Sequence, residues 1–178
     1  MRRGRVVAAL VLVPALAIGG WWFFGRSSAD SLRAGSAELS VRWRGTYQGA
    51  MSLPATLNWC PVTRVGVLEA MAGDSGVALI LYERDSLTSG PHAIVSPDMA
   101  PSAAKPGASF VMRWLRTKPD TAVTGFRSES GTARIQIAGG KASGDINARM
   151  RGATGPDTLV VQGGFSGVSI VTTAKGCT

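Results

Sequence analysis

Gly131-Thr-Ala-Arg-Ile-Gln-Ile-Ala-Gly-Gly-Lys-Ala-Ser-Gly-Asp-Ile-Asn-Ala-Arg-Met150 decides the fold class. Ala133, Ile135 and Ile137 alternate with Arg134 and Gln136, and Ile146, Ala148 and Met150 alternate with Asn147 and Arg149. Period-two alternation is the pattern of a strand with one face in a core and one in water. Gly139-Gly140 lies between the two runs, where a hairpin needs residues that tolerate positive φ. The pattern extends in both directions, over residues 123–128 upstream and 158–162 and 165–171 downstream. Ser130-Gly131, Gly155-Pro156 and Gly163-Gly164 punctuate it as further expected turns. Strands spaced at roughly 8–12 residues with Gly-rich turns predict an all-β antiparallel sandwich or barrel-like meander.

The same reading continues toward the N-terminus. Leu39, Val41 and Trp43 alternate with Ser40, Arg42 and Arg44, and Tyr47, Gly49, Met51 and Leu53 continue on one face as far as Pro54. Residues 55–59 form a short strand with Cys60 at its end. Residues 65–72 and 77–82 are apolar runs around Gly73-Asp-Ser-Gly76, a hairpin signature, and 77–82 reads as a central strand. Residues 92–95 and 110–115 are strands. Residues 96–107 hold three prolines and no periodicity, so a long loop is expected, with at most one helical turn over 99–104. A loop of that length in a small domain suggests a contact surface, ordered by a partner.

Gly131-Thr-Ala-Arg-Ile-Gln-Ile137, Gly140-Lys-Ala-Ser-Gly-Asp-Ile146 and Gly163-Gly-Phe-Ser-Gly-Val-Ser-Ile170 together resemble the tail of small exported bacterial β-domain proteins of unknown function. The resemblance covers about forty residues and implies a β-fold and export. That family carries no assigned active site. The chain departs from the family's lipid-anchored form, because its first cysteine is Cys60.

The N-terminus supplies the address. Arg2, Arg3 and Arg5 precede an uncharged run over residues 6–24, which closes on Trp21-Trp22-Phe23-Phe24 before Arg26. In a helix this run covers roughly 28 Å, close to the ~30 Å hydrocarbon core. Interfacial aromatics and a basic N-terminal flank predict one transmembrane helix with its N-terminus in the cytoplasm. The expected organisation is an anchor over 1–26, a tether over 27–37 and an exported all-β domain over 38–178. The expected location is the bacterial inner membrane, with the domain in the periplasm. Ala15-Leu16-Ala17 and Ser27-Ser28-Ala29 are alternative signal-peptidase sites. Cleavage after Ala17 would leave an apolar stub on the mature protein, which favours retention.

The formal charge of +8 is concentrated at this end. Four of the nineteen basic residues flank the apolar run, and the other fifteen face eleven acidic residues, a net of +4. A mildly basic domain outside the cytoplasm suits anionic lipid or an acidic partner, and nucleic acid is not expected. Cys60 and Cys177 are the only cysteines. In an oxidising compartment they are expected to form one disulfide.

No set of residues compels a catalytic reading. Gly73-Asp-Ser-Gly76 resembles the nucleophile loop of trypsin-like proteases, but that arrangement needs a histidine before the serine, and the only histidine, His92, follows it. His92 has no carboxylate beside it in sequence and reads as a packed or surface residue. Asp145, Asp157 and Glu129 read as solvated turn charges rather than a cross-strand acid/base pair. Arg42-Trp43-Arg44 and the run Arg113, Trp114, Arg116, Lys118 interleave base and aromatic. They predict an outward basic surface over buried tryptophans, open to lipid or a protein partner. Trp21, Trp22, Phe23 and Phe24 are the expected membrane interface. No cofactor, metal or catalytic residue is expected.

The function these observations suggest is non-catalytic: a single-pass accessory or structural subunit whose exported domain docks on a larger membrane complex. A photosynthetic reaction-centre and antenna assembly is one candidate, because small single-span subunits are common there. The alternative is a free exported β-protein holding an apolar ligand or a polymer.

Overall fold

The computed structural model describes residues 37–117, 121–173 and 177. The anchor expected over 1–26, with its aromatic belt, the tether up to residue 36, and Lys118 lie outside the described residues. Among the described residues no helix is long and apolar enough to cross a membrane.

Ten strands follow one another among the described residues: β1 (Glu38–Gly45), β2 (Gly49–Pro54), β3 (Thr56–Cys60), β4 (Val65–Ala72), β5 (Ser75–Tyr82), β6 (Gly90–Val95), β7 (Gly107–Arg116), β8 (Ala122–Ala138), β9 (Lys141–Gly152) and β10 (Thr158–Thr172). The one helical turn among the described residues is a 3₁₀ turn at Ala100–Ser102, within the segment where a turn was expected. All ten strands belong to one sheet, and the pairing of β10 with β9 closes it on itself. The ring runs β3, β4, β5, β7, β8, β9, β10 and back to β3. The sequence left sandwich and barrel open, and hydrogen-bonded closure makes it a barrel.

The meander has two forks, both missed in the sequence. Residues 123–128 and 133–138 belong to a single strand of 17 residues, β8, and 158–162 and 165–171 to a single strand of 15 residues, β10. Ser130-Gly131 and Gly163-Gly164 are therefore not turns. A Cβ on Gly131 would lie 2.1 Å from the Asn147 carbonyl oxygen, and one on Gly163 would lie 2.5 Å from that of Ser40. These glycines let neighbouring backbones approach closely, a role that sequence alone does not separate from turning.

Each long strand carries a β-bulge where its neighbour changes. The β8–β9 register shifts between Ser128 and Ser130, and there β8 leaves β7 (Val111 opposite Arg127) for β6 (Val95 opposite Ser130). The β10–β9 register shifts between Phe165 and Val168, and there β10 leaves β1 (Glu38 opposite Ser166) for a parallel pairing with β3 (Ile170 opposite Leu57). A bulge bends the strand and raises its twist, which lets one strand serve two partners in turn. Ser128 braces the first fork. Its buried hydroxyl donates to the Val95 carbonyl at 2.6 Å and accepts from the Phe110 amide at 3.0 Å.

Inward positions fill the ring, as expected for a barrel of about this strand number. Leu39, Leu57, Leu68, Leu79, Phe110, Ile135, Ile146, Met150 and Phe165 are all fully buried. Cys60 and Cys177 are bonded, with Cα atoms 5.5 Å apart across 117 positions of sequence. The bridge ties the chain's end to the last residue of β3.

The β6–β7 connection departs from expectation. β6 runs parallel to β7, so residues 96–106 form a crossover. They are held by their own chain. Ala100 is buried, Asp98 pairs with Arg127 at 2.8 Å, and Arg84 Nε donates to the Lys105 carbonyl at 3.1 Å.

Candidate functional site

Three polar or aromatic clusters stand out, one at each end of the barrel and one on its wall. The first end is built on β1, β7 and β8, where alternation sends Trp43, Trp114 and Phe126 inward, Trp43 and Phe126 into the core itself and Trp114 against it. Trp114 and Phe126 stack at 5.3 Å with 2° between their planes, Trp43 lies 5.0 Å from Trp114, and Tyr47 meets Trp114 and Phe126 edge-on. Arg116 joins them. Its Nη1 donates to the Tyr47 hydroxyl at 3.2 Å and its guanidinium lies 5.9 Å from the centre of the Tyr47 ring. Arg116 was expected on an outward basic surface with Arg113. They are three residues apart on a strand, so they occupy opposite faces: Arg113 is exposed and Arg116 is half-buried at the barrel mouth.

The opposite end holds His92, which has a partner that the sequence reading did not find. His92 and Glu83 are both buried, and His92 Nε2 lies 2.8 Å from Glu83 Oε1. The Thr88 amide and hydroxyl donate to the same carboxylate at 3.0 Å, and His92 Nδ1 lies 3.2 Å from the Gly90 carbonyl oxygen. Every side-chain polar atom of the pair is occupied within the 83–92 segment. The signal was the nine-residue spacing across the β5–β6 loop. A chain that turns back on itself there brings the two side chains together, but the loop's path was not legible.

The wall carries the third cluster. Arg42 and Arg44 are exposed on β1 with Trp43 buried between them, as alternation predicted. Arg42 stands opposite Gln162 of β10, and Arg44 opposite Val160. These residues border a cleft of about 450 Å³ with Gln48 and Gly49. A second cleft of about 520 Å³ lies over β8 and β9, bordered by Arg134, Asp145, Asn147 and Arg149 among others. Asp145 sits mid-strand opposite Arg134, Glu129 lies in the β8 bulge 3.7 Å from Arg151, and Asp157 lies 3.5 Å from the Tyr47 hydroxyl. The three carboxylates thus have separate surroundings and form no cross-strand acid pair. Among the described residues no group of three or more His, Cys, Asp or Glu is placed to hold a metal ion.

Searches against protein-family models, curated proteins and solved structures returned no match to this chain.

Proposed function

We propose that this protein is a non-catalytic accessory subunit, held in a bacterial inner membrane by its N-terminal apolar run, whose periplasmic β-barrel docks on a larger membrane complex. The observation that carries this reading is the use of the barrel's polar groups. His92 and Glu83 satisfy each other inside the wall, the interior is filled by apolar side chains, and the polar surface left over is an outward face of arginines. A protein with a filled interior works through its exterior. The membrane-length run over residues 6–24 places that exterior beside membrane partners, and a photosynthetic reaction-centre and antenna assembly is one such complex.

The rival reading, a free exported protein holding an apolar ligand, needs interior room. Phe110, Phe165 and their neighbours occupy the positions a ligand would take. Mild detergent extraction of the native membrane, followed by sizing and intact-mass measurement, tests the proposal. The expected result is a chain that begins at residue 1 and co-migrates with a larger complex. A mature chain lacking residues 1–17 or 1–29 that runs as a lone monomer would overturn it.

A further inference from the structure

The registers of β1, β10, β9 and β8 align their outward side chains into rows. One row is Arg42, Gln162, Asn147, Thr132, and the next is Arg44, Val160, Arg149, Ser130. The two clefts flank the same pair of central strands, so they belong to one face. Arg42, Arg44, Arg134 and Arg149 take part in no ion pair among the described residues, whereas Arg127 and Arg151 beside them are paired with Asp98 and Glu129. The clefts are bordered by four arginines and one carboxylate, with no lysine.

We propose that this face is the docking surface, and that its occupant is an extended, carboxylate-rich segment of a partner protein. This rests on the accessory-subunit reading and names the partner's chemistry. Residues two apart on a strand lie roughly 7 Å apart, so Arg42 and Arg44 match carboxylates at alternate positions of an extended segment. Arg44 and Arg149 are two strands apart, roughly 10 Å, wide enough to grip such a segment from both sides. Guanidinium forks bind carboxylates with two parallel hydrogen bonds, a geometry that lysine does not supply. Gln162 and Asn147 lie in the Arg42 row, and their amides both donate to and accept from a peptide backbone. The fork also matches a phosphate, so the fork alone does not separate a peptide from a lipid headgroup; the amides of Gln162 and Asn147 and the alternate spacing of the arginines favour the peptide. A flat bilayer also touches only the crest of a convex barrel wall.

The test uses the full-length chain in detergent micelles and a fluorescent octapeptide with glutamate at alternate positions. Arg44→Glu/Arg149→Glu should weaken peptide binding at least ~10-fold at low salt, because two attractive pairs become repulsive. Arg44→Lys/Arg149→Lys should weaken it by a smaller factor, since the charge stays and the fork is lost. Arg113→Glu, exposed on β7 away from this face, should leave binding unchanged. Far-UV circular dichroism and melting confirm that each variant folds. Unchanged binding in the charge-reversed variant overturns the proposal. So does arginine-dependent binding of soluble glycerol phosphate, a lipid headgroup, with none of the peptide. If the chain runs alone from native membranes yet binds the peptide through these arginines, the accessory-subunit reading fails and the face stands. If the complex co-purifies with Arg44→Glu/Arg149→Glu, the face fails and the reading stands.

Discussion

Single side chains settle polar groups that the backbone ladder leaves open. Glu83 is the clearest case, a buried carboxylate held by His92 and by the Thr88 amide and hydroxyl. Removing Glu83 leaves His92 Nε2 buried without its partner, and an unsatisfied buried polar group typically costs about 1–3 kcal/mol. Glu83→Ala should lower the unfolding free energy by that amount in a urea titration, and a loss under about 1 kcal/mol would mean that His92 finds another partner. Glu83→Leu/His92→Leu removes both and should lose less than Glu83→Ala, since no unpaired group remains. Ser128 is a second case. Ser128→Ala leaves the Phe110 amide and the Val95 carbonyl without this partner, so a loss of roughly 1–3 kcal/mol is expected by the same titration.

At the scale of elements, the two long strands make the barrel possible. β8 and β10 each span two successive neighbours, and each bends at a bulge where the neighbour changes. Close approach at these strands rests on glycine. Gly131 has φ of 150°, and a Cβ there would also lie 2.8 Å from the Ala148 Cα. Gly131→Ala must push β9 away and should cost at least ~2 kcal/mol, read as a drop in melting temperature. Gly139, in the β8–β9 turn, has φ of 58° and nothing within 4 Å of a Cβ. Gly139→Ala should cost only the left-handed backbone term, about 1 kcal/mol. Equal effects at the two sites would show that the glycines are not doing different jobs. This contrast also explains why the strand boundaries were misplaced in the sequence. Gly-rich dipeptides mark turns and close approaches alike, and only the partner strand tells which.

For the whole molecule, closure is the central fact. The sheet joins residues at the two extremes of the domain, since β10 pairs with both β1 and β3. The Cys60–Cys177 bond adds a covalent tie to the same seam. It constrains a loop of 117 positions in the unfolded chain, which in the chain-entropy model is worth up to ~4.7 kcal/mol. Replacing both cysteines by serine should lower stability by about 2–5 kcal/mol, measured by denaturant unfolding of the oxidised wild type and the variant. A variant as stable as the wild type would mean that the ladder alone holds the seam.

By itself the sequence determined the all-β class, most strand positions, the burial of Trp43 between two outward arginines, and the cysteine pair. Those readings rest on local rules: the period-two alternation of strand side chains, turn chemistry, and the pairing of the only two thiols. Tertiary structure decided the rest, namely barrel closure, the forks at Glu129 and Gly167, the inward position of Arg116, and the meeting of His92 with Glu83. Each depends on which strand lies beside which. That choice is made by packing and backbone approach between segments far apart in the chain, and no local pattern encodes it.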